Sequence, residues 1–496
     1  MRLLLVLALF GLAAGGDLRI RLQRRFPSCR GVLEGAYAGD GYSYLQRLRF
    51  SAAGMDLSVL SEKDRGEEWD DLICGGLGYS PGKGGLLRSV SAGWLRTRLG
   101  SGLVLAHPGG WSGSSFSGAS KSPSIDARLR PARGSWACDG QGLTGAGAEL
   151  FVGGVDLWLL QGVSRVDPSE GGYHRTSGER ESRGSLLEVL SALRAEWRFL
   201  GLSAASSWPA EDDSPSWKRA GVDCRWARES FVLAGELAVG QDSSGTTTAF
   251  WVAPAQELER FRHCFALFGR PEAFPDRRGN VPVGEDCDLG ARYGLRCRPV
   301  DGVRVAGRLE GLAREGDDET EASGEVSMRP APRMQAVAGL RYGWEGAGRS
   351  WRSLLKLSWE PHAMVGLSTR LQLTGYADSG EDTTESGSAA ELRLSYRPAR
   401  RLRFRVGTVA FDTDGYDSRV YAAELAFPGQ FGSAALYGGG FLLQGSVSLE
   451  AAPGMFVRAR GLWERRENVE TMGSGWEETE GDGRTTVGLQ LDYAFP

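Results

Sequence analysis

Arginines at alternate positions near residue 400 have the spacing of a charged ladder. Successive side chains of a β-strand point to opposite faces, so this spacing places the guanidinium groups together on one face. The predicted ladder consists of Arg393, Arg397, Arg401, Arg403 and Arg405. If the strands enclose a water-filled lumen, the ladder would favour the passage of anions, because rings of charge set the ion selectivity of a pore. The alternative is a filled lumen in which these arginines pair with Glu391, Glu424 and Glu450.

Three aspartates close to the ladder could bind a hard cation. Asp412, Asp414 and Asp417 surround Gly415, and Ca²⁺ prefers several oxygen ligands on a tight, glycine-bearing loop. The distal bidentate glutamate of a Ca²⁺ loop is missing. The segment therefore predicts at most a weak Ca²⁺ site, and a solvated hairpin turn rich in aspartate is the favoured alternative. We expect no cofactor.

Histidines and cysteines show no catalytic or metal-binding spacing. An outer-membrane hydrolase needs a histidine beside a serine or aspartate, but none of the four histidines lies in a recognisable motif. They are His107, His174, His263 and His362. The seven cysteines contain no C-x-x-C pair, and a loop disulfide between Cys287 and Cys297 is one option. We therefore expect a non-enzymatic protein, with a barrel-embedded hydrolase as the least favoured alternative.

Strict alternation of apolar and polar residues indicates the elements that must carry these side chains. In the segment 487–495, Val487, Tyr493 and Phe495 share one face with two leucines. Similar segments of about ten residues recur upstream, separated by tight turns at one end. Acidic stretches at the other end cover 313–325, 378–388 and 464–483. The pattern predicts an antiparallel outer-membrane β-barrel of about 20–26 strands, with short periplasmic turns and long extracellular loops.

Aromatic residues at strand ends have the spacing of membrane girdles. Trp351 and Trp359 lie eight residues apart on one face of a strand. At ~3.3 Å per residue and a tilt of ~40°, that distance spans roughly 20 Å, close to the ~25 Å apolar band of such barrels. Tyr493 and Phe495 are predicted to belong to the same girdles. A soluble sandwich, in which tryptophans at both ends of a strand would be incidental, is the alternative.

The N-terminus predicts export. Arg2 precedes an apolar run that ends in small residues, which is typical of a secretory signal peptide, although a buried N-terminal helix would have a similar composition. We predict a signal peptide over 1–16 and the barrel over 17–496. An outer-membrane location implies lipid, periplasmic chaperones and the barrel assembly machinery as partners. The net charge of −4 and the lack of basic patches with interleaved aromatics predict no nucleic-acid partner.

Several short motifs occur in a familiar order: RLQRRFPSCRG (21–31), RLGSGLVL (98–105), ARLRPARG (127–134), GAGAEL (145–150) and FDTDGYDSRVYAAE (411–424). This order resembles the barrel portion of bacterial, Bacteroidetes-like outer-membrane proteins known as helix-hairpin-helix domain-containing proteins. The resemblance implies an outer-membrane barrel. The barrel pattern here begins within a few residues of the predicted cleavage site, so no DNA-binding role is transferred from the helix-hairpin-helix repeats.

These features predict a porin-like channel, or a transport or assembly component, whose small-solute substrate the sequence does not identify. The alternative from another class is a closed barrel whose extracellular loops bind a ligand or a surface.

Overall fold

A closed antiparallel barrel of 24 strands forms the molecule. The computed structural model describes residues 15–69, 72–82, 84–106, 127–131, 143–166, 175–176, 186–209, 216–271, 274, 287–314, 318–378, 380, 383–430 and 432–495. The predicted signal peptide lies almost entirely outside these residues. None of the described helices is long and apolar enough to cross a membrane.

The first half of the chain supplies strands β1 to β15 and one short helix. Their bounds are β1 Gly15–Phe26, α1 Arg30–Leu33, β2 Tyr42–Ala52, β3 Met55–Lys63, β4 Leu72–Tyr79, β5 Leu87–Leu99, β6 Leu105–Ala106, β7 Arg128–Pro131, β8 Leu143–Val152, β9 Val155–Val166, β10 Leu186–Trp197, β11 Leu200–Pro209, β12 Trp217–Arg228, β13 Phe231–Asp242, β14 Gly245–Glu257 and β15 Phe261–Arg270.

The second half supplies β16 to β30. Their bounds are β16 Cys287–Cys297, β17 Val303–Ala313, β18 Glu319–Met328, β19 Met334–Glu345, β20 Gly348–His362, β21 Val365–Asp378, β22 Thr383–Ala399, β23 Leu402–Thr413, β24 Val420–Ala423, β25 Ser433–Leu436, β26 Gly440–Ala452, β27 Met455–Arg466, β28 Thr471–Met472, β29 Thr479–Glu480 and β30 Gly483–Phe495. The wall is built from β1–β5, β8–β23, β26, β27 and β30. It closes because β1 pairs with both β2 and β30.

The two ends of the barrel differ as predicted. At one end the strands are joined by short turns, such as the two-residue turn between β2 and β3, and this is the periplasmic end of an outer-membrane barrel. The longest connections, including 27–41, 414–439 and 467–482, lie at the opposite, extracellular end. Two of the predicted acidic loops are shorter than expected. Because β18 begins at Glu319 and β22 at Thr383, half of the acidic residues in 313–325 and 378–388 belong to strands.

The outward face is apolar between two aromatic rims. Exposed leucines and valines fill the middle of the strands, for example Leu355 (52% exposed) and Val406 (50%). Trp351 lies on this face near the extracellular end of β20, and Trp359 lies near its periplasmic end. Tyr493 and Phe495 lie at the periplasmic end of β30, where their rings contact each other edge-on. This distribution matches an apolar band bounded by girdles, so the barrel belongs in the outer membrane.

Part of the chain folds into the lumen rather than over it. The wall strand β5 continues beyond its pairing with β8, and its extension pairs with β6 and β7. We call the inserted segments 94–106 and 127–131 the plug. Leu103, Val104 and Leu105 at its tip have no exposed surface. They pack on the inner face of β8–β15, where small residues such as Ala234 and Ala238 leave room for them.

A second insertion lies along the opposite part of the inner wall. The hairpin formed by β24 and β25, with its connection 424–432, is here called the inner hairpin. Val420 and Leu436 of this hairpin are fully buried against Val409 and Phe411 of β23. Its connection reaches β1, because Arg21 donates to the carbonyl oxygen of Pro428 at 3.4 Å. The inner hairpin therefore lies along the inner wall from β23 to β1.

The predicted option of a disulfide between Cys287 and Cys297 is wrong. The two residues stand at the opposite ends of β16. Ten residues of extended strand place them roughly 33 Å apart, whereas a disulfide needs Cα atoms within about 7 Å.

Candidate functional site

The structure places three of the five predicted ladder arginines on one inward face. Arg393, Arg403 and Arg405 belong to β22 and β23 and point into the lumen, on the same face as the buried Val409 and opposite to the exposed Val406. Arg397 and Arg401 do not belong to it. Arg401 lies in the turn between β22 and β23, and Arg397 falls where the strand register shifts next to that turn. Both are exposed at the periplasmic rim, where the regular pairing of β22 with β23 gives way to the turn.

The predicted pairing of the ladder with glutamates holds for one of its arginines. Arg393 forms an ion pair with Glu391 and also donates to the carbonyl oxygen of Ala423 in the inner hairpin. Glu424 pairs instead with Arg460 of β27, at 3.2 Å. Among the described residues, no ladder arginine lies within ion-pair distance of Glu424 or Glu450.

Arg403 and Arg405 keep uncompensated charge toward the periplasmic half of the lumen. No described carboxylate lies within ion-pair distance of either residue. Arg403 donates from Nε to Ser395 Oγ at 3.1 Å, and Arg405 donates from Nε to Ser446 Oγ at 3.1 Å. Hydroxyl groups satisfy hydrogen bonds but leave the positive charge in place. These two guanidinium groups are therefore available to an anion in the lumen.

Arginines on neighbouring strands extend the ladder toward the extracellular end of the barrel. Ser446 of β26 is paired with Arg405 on one side and with Arg460 of β27 on the other. Further up β27, the side chain of Arg466 points the same way as Arg460 because the two are an even number of residues apart. Arg466 bonds Glu464 at 2.9 Å. Basic side chains thus follow the inner wall from the periplasmic half to the extracellular end.

The upper end of this series opens into a cavity of about 630 Å³, here called the upper cavity. The inner hairpin forms one wall, and β1, β27 and β30 form another. Its cover, here called the cap, consists of 27–41, 64–69, 175–176 and 467–482. Seven arginines and three carboxylates line the cavity: Arg24, Arg25, Arg65, Arg175, Arg460, Arg466, Arg484, Asp64, Glu424 and Glu464. The lining therefore carries a surplus of four positive charges.

Burial lowers the pKa of an arginine in the cap. Arg65 lies outside the strands, and burial together with the neighbouring Arg175 and Arg484 lowers the pKa of its guanidinium. A guanidinium nonetheless stays protonated at neutral pH. Because both burial and like charge disfavour the cation here, an added anion would be strongly attracted.

The predicted Ca²⁺ site is not assembled. Asp414 accepts hydrogen bonds from the backbone N–H and the hydroxyl of Ser386, both at 2.7 Å, and these bonds lower the pKa of its carboxyl group. Asp417 lies 3.8 Å from Arg419, and Asp412 is exposed in β23. Within the described part of the chain, no group of three acidic, histidine or cysteine side chains could hold a metal ion. The segment is the aspartate-rich turn that was the favoured alternative.

Neither described histidine has the surroundings of a catalytic base. His263 lies on the outward face between the rings of Phe261 and Tyr293, 3.2 Å from Gln256. His362 ends β20, where its Nδ1 accepts from the backbone N–H of Met364 at 3.2 Å. His107 and His174 lie outside the described residues.

One buried polar cluster was missed at the level of sequence. Arg194, with a fully buried side chain, binds Asp223 at 2.9 Å and Ser203 at 2.9 Å. Glu236 lies opposite Asp223 in strand register and accepts from the backbone N–H of Ser101 in the plug at 2.7 Å. The cluster thus fastens the plug to the wall. Its members come from strands β10 to β13 and from the plug, so no local spacing marks them.

Comparisons with solved structures return outer-membrane barrels. The chain is similar to the siderophore receptor PirA from Pseudomonas aeruginosa, with 8% identity and a TM-score of 0.47 over 98% of this chain and 80% of that one. It is also similar to the FrpB iron transporter (F3-3 variant) from Neisseria meningitidis, with 9% identity and a TM-score of 0.47 over 98% of this chain and 82% of that one. An anion-selective porin from Comamonas acidovorans matches with 11% identity and a TM-score of 0.33 over 62% of this chain and 99% of that one.

At these identities and TM-scores, what those proteins carry says nothing about the cargo of this chain. No family model and no curated protein matches the sequence. The resemblance to helix-hairpin-helix domain-containing proteins therefore stays a prediction.

Proposed function

We propose that this barrel is a non-enzymatic, porin-like conductor of small anions across the outer membrane. The observation that carries the proposal is the pair Arg403 and Arg405, whose charges face the lumen with only serine partners among the described residues. Rings or rows of arginine are the usual selectivity elements of anion pores. Arg403 is exposed and Arg405 is partly exposed, so water and small ions can reach them.

The wall next to the ladder fits the same function. The inner faces of β17–β21 carry charged side chains that stay partly accessible, such as Arg341 (34% exposed) and Arg370 (24%). By contrast, the plug covers the inner faces of β8–β15 and packs on a cluster of buried hydrophobic residues there. A conducting path would therefore run along the polar part of the lumen, beside the inner hairpin. Lipid, periplasmic chaperones and the barrel assembly machinery are the partners that we propose for its insertion.

Ion selectivity in planar bilayers tests this proposal. In a KCl gradient, we expect the refolded protein to give steady openings with a reversal potential that favours chloride. The double substitution R403E/R405E should shift the chloride-to-potassium permeability ratio toward potassium by about fivefold or more, because the row of charge changes sign. The matched control is R298E, which makes the same charge change at an exposed periplasmic turn away from the ladder.

Two outcomes would contradict anion conduction. One is equal selectivity in the wild type and in R403E/R405E. The other is a correctly folded, heat-modifiable barrel that conducts no ions. That result would favour the alternative function of a closed scaffold whose extracellular loops bind a ligand or a surface.

A further inference from the structure

A single carboxylate in the cap occupies the centre of an arginine cluster. Glu477 lies in a short 3-10 helix, Gly475–Glu477, within the extracellular segment 467–482. Its Oε1 accepts from Arg175 at 2.8 Å and from the hydroxyl of Tyr37 at 3.1 Å. Its Oε2 pairs with Arg65 and lies 4.0 Å from Arg25. We call Arg25, Arg65 and Arg175 the clamp and Glu477 the latch.

The latch does not neutralise the charge around it. Glu477 is one carboxylate against three clamp arginines, and these three are among the seven arginines that line the upper cavity. Even when Glu477 is added to the lining, its arginines outnumber its carboxylates by three. Within the same cavity, Nη1 of Arg460 is buried without a hydrogen-bond partner. The site therefore has donors and charge for more negative oxygens than the protein supplies.

The latch also holds the cap together. The backbone around it joins three segments distant in sequence: Arg30 donates to the carbonyl oxygen of Glu478 at 2.7 Å, and Ala38 donates to that of Arg175 at 2.8 Å. Glu477 itself is one-third exposed, so a solute from outside can reach it. Cys29, which precedes α1 beneath this cover, has no exposed surface. Loss of the latch contacts would free the segment 467–482 and uncover Cys29.

From these contacts we infer that the clamp is a binding site for a small multivalent oxyanion, such as a phosphate or a polycarboxylate, which displaces Glu477 and opens the cap over the upper cavity. Planar guanidinium groups bind phosphate and carboxylate oxygens in pairs, and an anion with two or three charges matches the surplus better than one glutamate does. The inference rests on the proposed anion conduction and adds to it a recognition site at the extracellular entrance.

Reactivity of the native Cys29 reports cap opening. The full-length protein in detergent or vesicles is treated with a maleimide, and labelling of Cys29 is followed peptide by peptide with mass spectrometry. We expect inorganic phosphate or citrate to accelerate labelling of Cys29 by about tenfold over chloride at equal ionic strength, because the anion replaces charge-assisted bonds of the latch. E477Q should give fast labelling without any anion.

The matched control is E480Q, which removes the same charge from an exposed glutamate of the same segment and should behave as the wild type. R65Q should abolish the effect of phosphate and citrate. The inference is overturned when these anions label Cys29 no faster than chloride does, or when E477Q and E480Q are indistinguishable. R403E/R405E should leave the labelling response intact, so failure of the selectivity experiment and failure of the clamp are separate results.

Discussion

Replacing Asp223 by asparagine should destabilise the barrel by about 3–5 kcal/mol, because it leaves the buried Arg194 guanidinium without its counter-charge. The side chains of this pair are 0% and 2% exposed. The other carboxylate near Arg194, Glu196, is one-third exposed and cannot compensate from a hydrated position. The free energy of unfolding is measured by equilibrium urea titration of the protein refolded into lipid vesicles.

Two further variants separate burial from charge. D482N removes the charge of an exposed pair with Arg465, in which both side chains are about half exposed, and should cost at most about 1 kcal/mol. R194M/D223L removes both partners of the buried pair and should recover most of the stability lost in D223N, because neither charge of the pair is left without its partner. A loss in D223N no larger than that in D482N would show that the buried pair does not hold this part of the wall together.

The wall of the barrel was predictable because its signal is local and repeated. Every strand that faces lipid must alternate, and the aromatic residues must stand at its ends. Trp351, Trp359 and Tyr493 were therefore assigned to the correct face from spacing alone. The strand ends were less accurate. Arg401 lies in a turn because the alternation of arginine with apolar residues carries on slightly past the hydrogen-bonded pairs of β23.

The interior was not predictable, because its contacts join residues far apart in sequence. The pairing of β5 with β4 ends at Gly93, whose φ of +93° is open to glycine, and a Cβ there would lie 2.3 Å from the carbonyl oxygen of Gly75. Nothing in the alternating sequence of β5 marks that position. Ser101 and Glu236 are 135 residues apart, and the clamp arginines come from three separate segments. Two of the motifs behind the family resemblance, 98–105 and 411–424, lie in the plug and the inner hairpin.

The plug itself provides the experiment with the largest expected change in conductance. Leu103 is completely buried at its tip, and its backbone N–H bonds Glu236, which faces Asp223 across the strand pair. In L103D a third carboxylate would be buried beside these two. An unpaired buried charge costs several kcal/mol, so we expect the tip to leave its site.

Undocking exposes the small residues on the inner face of β12 and β13 and widens the lumen. Gly221 shows how closely the two surfaces fit, because a Cβ built there would lie 2.6 Å from Cγ2 of Val104 in the plug. We expect the single-channel conductance of L103D to be at least about twice that of the wild type in the same salt, since a pore conducts in proportion to its open, hydrated section. The barrel should stay heat-modifiable, because Leu103 takes no part in the backbone hydrogen bonds between the strands of the wall.

L103M is the matched control, since methionine keeps the volume and apolar character of leucine and should leave the conductance unchanged. The two variants together distinguish a removable plug from a fixed part of the wall. Equal conductance in L103D and L103M, with both folded, would mean that the path for ions does not run past the plug and lies wholly beside the inner hairpin. A conductance that rises in L103D while chloride preference persists would place the plug as a constriction and the arginine ladder as the separate element that selects charge.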